Sequence, residues 1–79
     1  MQAEKMLDLC GVLAPYCLLM CTAELAYMEP GAILEVHLRD PQTVDDLLTI
    51  LGRSGETVVA QVQHEDRTCL WVQKNAHFT

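Results

Sequence analysis

The residues in this chain best suited to chemistry are its four cysteines, Cys10, Cys17, Cys21 and Cys69. Two of them, Cys10 and Cys17, flank the junction LDLCGVLAPYC at residues 7–17, where a strand-like run meets Gly11 and then Ala14-Pro15. A thiol at the start of a helix sits among unpaired backbone N–H groups and at the positive end of the helix dipole. Both favour a thiolate. The residue directly before the proline is Ala14, so the nearest sulfur in the first turn is Cys17, one turn on. Cys17 is therefore the candidate reactive thiol, expected to be the most acidic of the four. Stepping at about 100° per residue places it at the edge of the buried stripe, not at its centre. Its plainer alternative is a small, half-buried helix residue. Cys10, in the loop before the helix, is a possible second thiol able to reach the Ala14–Cys17 neighbourhood. Cys21 reads as core and Cys69 as a structural residue of the last strand. The C-x₆-C-x₃-C spacing fits no common zinc pattern, so no metal and no cofactor are expected.

The elements that must position these thiols follow from periodicity. Lys5 to Leu9 reads as a short strand with Leu7 and Leu9 on one face. Pro15 suits the opening turn of a helix over 15–28, whose stripe of Leu18, Cys21, Leu25 and Met28 should face the core. Pro30-Gly31 stops it. Ala32 to Arg39 alternates, with Leu34, Val36 and Leu38 inward and Glu35, His37 and Arg39 outward. Asp40-Pro41 prepares a second helix over 43–53 with Val44, Leu47, Leu48 and Leu51 on its apolar face and Asp45 and Asp46 near its start. Glu56 to Gln63 is a third strand with Val58, Ala60 and Val62 on one side, and Thr68 to Lys74 a fourth. Residues 75–79 read as a frayed tail. The order βαβαββ predicts an α+β fold in one domain over 1–79. It is a two-layer sandwich with two helices on one face of a four-stranded mixed sheet. Leu18, Leu25, Val36, Leu47, Val58 and Leu70 should be buried between the layers. The opposite face, with Val59, Gln61, Cys69 and Trp71, should be partly open.

Bulk properties exclude several functions. A chain of 79 residues with 51% hydrophobic and 20% charged residues is one small folded domain. A net charge of −6 and five scattered basic residues argue against nucleic-acid binding, which needs clustered Lys and Arg. The apolar run from Leu9 to Ala23 is too short to span a bilayer, so no membrane partner is expected. Asp8 and Pro15 also spoil it as an export signal. A cytoplasmic protein with reduced thiols is expected. No Ser-His-Asp set, phosphate loop or paired carboxylates can be assembled. His37, His64 and His77 read as surface residues, and Trp71 as an aromatic covering the sheet.

The residues Leu7-Asp8, Gly11, Ala14-Pro15-Tyr16-Cys17, then Met28-Glu29-Pro30-Gly31, Asp40-Pro41, Asp46-Leu47, Gly55 and Leu70-Trp71-Val72-Gln73-Lys74 resemble the TusA/SirA sulfur-carrier family. Its signature is L-D-x-x-G-x-x-C-P-x-P. The resemblance runs from about residue 7 to 74 and implies the same βαβαββ sandwich. It also implies a persulfide carrier, taking sulfur from a cysteine desulfurase or rhodanese-type donor and passing it to an acceptor protein. Gly11 and Pro15 match the motif, whereas the carrier cysteine corresponds to Ala14 and the second proline to Cys17. The first helix also lacks the basic residues that family members often show there. The resemblance thus leaves two functions open. One is a sulfurtransferase-like carrier with its thiol displaced to Cys17; the other is a non-catalytic binding or regulatory module that docks a partner protein without carrying sulfur.

Overall fold

The computed structural model describes residues 2–75. It contains β1 (Lys5–Asp8), α1 (Ala14–Tyr27), β2 (Ile33–Leu38), α2 (Pro41–Ser54), β3 (Thr57–Gln63) and β4 (Thr68–Gln73). The strands form one sheet in the order β1-β2-β4-β3, with β1 parallel to β2 and the other pairs antiparallel. This is the expected α+β sandwich. The expected tail at 75–79 falls, apart from Asn75, outside the described residues, as does His77. Asn75 itself donates its backbone N–H to the Glu56 carboxylate.

The core is one layer of side chains between sheet and helices. Leu34, Val36 and Leu38 of β2 and Leu70 and Val72 of β4 lie under Leu25 of α1 and Val44, Leu47 and Leu51 of α2. The alternation of β2 carries directly into burial: Leu34, Val36 and Leu38 are buried, while Ile33, Glu35 and His37 are half-buried. Of the six residues expected to fill the layer, Leu25, Val36, Leu47 and Leu70 are buried, while Leu18 and Val58 are half-buried at its margin.

Three expectations need correction. The first is the stripe of α1, which centres on Cys17, Cys21 and Leu25, with Leu18 and Met28 flanking it. Tyr16, Leu19 and Met20 are as apolar as the buried set, so no polar face in the sequence fixes the helix's rotation. The pre-helix loop fixes it instead, by accepting the Cys17 thiol on two of its carbonyls.

The second is the face assignment in β3. The register slips between Val58 and Ala60. Directly opposed residues share a face. Val58, opposite Val72, therefore faces the helices, whereas Ala60 opposite Trp71 and Val62 opposite Cys69 lie on the open face. One extra residue in a bulge moves everything beyond it to the other side.

The third is the start of α1. Leu13 is the cap and Ala14 the first helical residue, so Ala14 is not the capping position and Pro15 is second in the helix. α2 likewise starts earlier than expected, at Pro41. Asp40 caps it, accepting from the Gln42 N–H at 3.2 Å and the Thr43 hydroxyl at 3.0 Å.

Candidate functional site

Cys10 and Cys17 meet at the loop Leu9–Leu13 that joins β1 to α1. Gly11 makes this turn possible with φ of +90°, a conformation that costs an L side chain roughly 1–2 kcal/mol. The loop arches over the start of α1, and the Val12 N–H returns to the Leu9 carbonyl at 3.1 Å. A cleft of about 290 Å³ lies between the starts of the two helices, bounded by Gly11 and Leu13 on one side and Arg39, Asp40 and Thr43 on the other. Cys17 is among the residues lining it.

Cys17 is more enclosed than its place in the sequence suggests, at 2% exposed. Its Sγ donates to the Val12 carbonyl at 3.2 Å and to the Leu9 carbonyl at 3.7 Å. The expected lowering of its pKa is reversed, because burial, then the charges of Cys10 and Asp40, push this thiol up. The helix end offers little to oppose them. The N–H groups of Tyr16 and Cys17 both turn back to the Leu13 carbonyl at 3.0 Å, and Pro15 has none to offer. Ala14 stands exposed beside them, presenting a methyl group.

Cys10 has a different setting. It is half-buried, whereas Cys17, Cys21 and Cys69 are buried. Its backbone N–H donates to the Asp8 carboxylate at 3.1 Å, and this bond holds Asp8 below its ordinary value. Burial and the hydrogen bond to Asp8 push the Cys10 thiol up, while the positive charges of Arg67 and Arg39 pull it down. Burial drives Cys21 up to about 12, and Cys69 is raised by burial and then by Glu35. Cys10 and Cys17 are thus neighbours with opposite outlooks, one toward the surface and one toward the core.

A polar chain on the open sheet face adjoins Cys10 and was not anticipated from the sequence. Asp8 lies 3.9 Å from Arg67; the Arg67 Nη1 donates to Nδ1 of His37 at 3.2 Å; and Nε2 of His37 lies 2.5 Å from the Glu35 carboxylate. The Glu35-x-His37 spacing on one strand face was the available signal. Arg67, brought across by the β3–β4 hairpin, left none. Among the described residues no group of His, Cys, Asp and Glu side chains could hold a metal ion. None of the described helices is long and apolar enough to cross a membrane.

The sequence model of the Sulfurtransferase TusA family matches residues 5–74, and the chain belongs to that family of sulfur carriers. YrkI of Bacillus subtilis strain 168, a candidate sulfur carrier protein, is 30% identical over 74 residues, covering 94% of this chain and 99% of YrkI. The crystal structure of a SirA-like protein from Desulfitobacterium hafniense matches with a TM-score of 0.79, covering 91% of this chain and 99% of that one. At 14% identity this second likeness bears on the fold. Membership of the family implies protein partners in a sulfur relay.

Proposed function

We propose that this protein is a persulfide carrier of a cytoplasmic sulfur relay whose acceptor thiol has left position 14, and that Cys10 now fills the role. The observation that carries this is exposure: of the four thiols, Cys10 alone is not buried, and it lies four residues before Ala14, on the loop that leads into α1. The donor is a protein persulfide, on a cysteine desulfurase or rhodanese-type enzyme. Cys10, as thiolate, attacks the outer sulfur of the donor. A Cys10–sulfur bond forms, the donor's sulfur–sulfur bond breaks, and the donor leaves as a thiolate that takes up the proton released by Cys10. No net oxidation occurs. Asp8 accepts a hydrogen bond from the resting thiol, and Arg67 and Arg39 favour the anion. A thiol of raised pKa is ionised less often, but its thiolate is the stronger nucleophile. Cys17, lining the cleft, is a reserve thiol that reacts only when the loop over it opens.

A second reading is favoured by one observation: the family's cysteine position holds an exposed alanine, and all four remaining thiols are raised in pKa. On that reading the chain is a docking module that carries no sulfur. Incubation with a persulfidated donor, followed by intact-mass measurement, separates the possibilities. The wild type and Cys17→Ser should gain the mass of a sulfur atom and Cys10→Ser should not. Loss of uptake in Cys17→Ser alone would move the carrier to the cleft thiol, and no uptake by the wild type would leave the docking module.

A further inference from the structure

We propose that the outer face of α1 is the contact surface of a homodimer. Leu13, Tyr16, Leu19, Met20 and Tyr27 are 70%, 58%, 64%, 43% and 88% exposed. Stepping at about 100° per residue from the Leu13 cap places these five, with Ala23, within about a third of the helix circumference, on the side away from Cys21 and Leu25. The buried face of α1 is apolar as well, so the helix is hydrophobic nearly all round. Helices of that kind belong in an interior. Within this chain α1 has one covered face, and the other awaits a partner.

Charge permits a second copy as the occupant, and the area and symmetry of the stripe point to one. The chain carries a net charge of −6, so two copies repel wherever their charged surfaces meet. The stripe is where they need not. Glu24 is the one charged residue in α1, and it is paired with Lys5 at 3.2 Å at the stripe's margin. A basic partner would find no acid on the stripe to pair with. The area is also adequate for self-association. At about 200 Å² for a full side chain, the two tyrosines together present roughly 300 Å². Leu13, Leu19 and Met20 add a comparable amount, bringing the stripe to most of the roughly 800 Å² per partner found in stable interfaces.

The geometry is self-complementary. Met20 lies midway between Leu13 and Tyr27. A twofold axis passing near Met20 would lay the helices antiparallel, setting Leu13 of each copy against Tyr27 of the other. Flexible Met side chains at the axis tolerate the self-contact. A shallow groove between α1 and β1, lined by Leu7, Met20, Ala23, Glu24 and Tyr27, offers a seat for the partner's Tyr16.

Sedimentation equilibrium of the full chain tests this. The average mass should rise from 8.8 kDa toward twice that value as concentration increases through the micromolar range. Added salt should strengthen association, because screening removes the mutual repulsion of two acidic copies. Leu19→Glu should hold the chain at monomer mass, while Val62→Glu on the open sheet face should leave the dimer intact. If Leu19→Glu loses its far-ultraviolet dichroism, Tyr27→Glu serves in its place, since Tyr27 is the most exposed residue of the stripe. A wild type that stays monomeric up to several hundred micromolar would overturn the proposal. So would a dimer broken by Val62→Glu but not by the stripe variants, or a monomer that instead co-sediments with phosphatidylcholine vesicles.

Discussion

The two helices have the same length and each carries a proline within its first two positions, yet they are held in different ways. α2 is specified by its own residues. Asp40 caps it with two hydrogen bonds, and Gly55 ends it in the left-handed conformation with φ of +82°. Its buried residues Val44, Leu47 and Leu51 recur at helical spacing, with Asp45 and Asp46 between them and Arg53 in the last turn. α1 has none of these devices. Leu13 supplies no side-chain cap, Met28 leaves the helix in an extended conformation, and apolar residues run round the helix. α1 is a helix because the loop before it, the core beneath it and, as inferred above, a second copy beside it hold it there. A helix with its own punctuation is free to face water, whereas one without it advertises an interface.

The comparison can be broken most decisively by truncating one residue on each helix. Leu47→Ala in α2 should cost about 2–5 kcal/mol in denaturant unfolding, because this side chain is fully buried and leaves a cavity. Leu19→Ala in α1, measured on dilute monomer, should change stability by no more than about 0.5 kcal/mol. A large loss at Leu19 in the monomer would mean that the outer face packs within the chain after all.

The buried face of α1 should announce itself at alkaline pH. The Cys21 thiol has an ordinary value of 9.0 and is pushed up to about 12 by burial. Its native value is the higher one, so its contribution is complete below pH 9 and is lost as the unfolded chain's thiol ionises between pH 9 and 12. At 1.36 kcal/mol per pH unit the loss approaches about 4 kcal/mol. Cys21→Val should flatten the stability curve over that window, with the tyrosine and lysine contributions common to both proteins. Identical curves would show that the site under α1 is wetter than its burial suggests.

The helix ends give a smaller contrast. Gly55→Ala should cost about 1–2 kcal/mol, because its φ is left-handed and a Cβ there would meet Asn75 Nδ2 at 2.8 Å. Asp40→Ala should cost about 1 kcal/mol, since the Gln42 N–H and the Thr43 hydroxyl lose their acceptor. Leu13→Asp, at the uncapped end of α1, should gain a similar amount in dilute monomer, with the dipole adding to it. Ala14→Ser should gain little, since position 14 lies inside the helix. If Ala14→Ser stabilised more than Leu13→Asp, the cap would have to be moved back to position 14.

The smallest effect concerns the loop that feeds α1. Asp8 is held below its ordinary value of 3.8 by the Cys10 N–H. A lowered carboxylate contributes stability that is present above its unfolded value and disappears as pH falls through the folded one. Asp8→Asn should therefore weaken the dependence of stability on pH below about 4, by an amount visible only in a direct comparison of acid titrations. No change would mean that the bond does not persist in solution.

How legible the molecule was from its residues follows the same division. α2, β2 and the central strand β4 could be read, because charged residues mark the faces of α2 and β2, and β4 is bracketed by a turn. The face of β3 beyond Val58 could not, because a bulge is a register event between two strands and leaves no mark in either one. For the site, the LDLCGVLAPYC loop stood out because glycine and proline have few other uses at that spacing. Which sulfur was exposed did not, because that depends on the Leu9 and Val12 carbonyls closing over Cys17.

The sequence by itself determined the order of elements and the two-layer architecture, consequences of local period and residue type, and through its family resemblance the alanine at the carrier position 14. Only the tertiary structure decided the rotation of α1, the burial of Cys17 against the half-exposure of Cys10, and the arrival of Arg67 beside Asp8 and His37. The last rests on contacts between segments far apart in the chain, the first two on the folding back of the loop whose carbonyls close over Cys17. With the helix apolar on every side, the choice of which apolar face turns inward belongs to whatever packs against it.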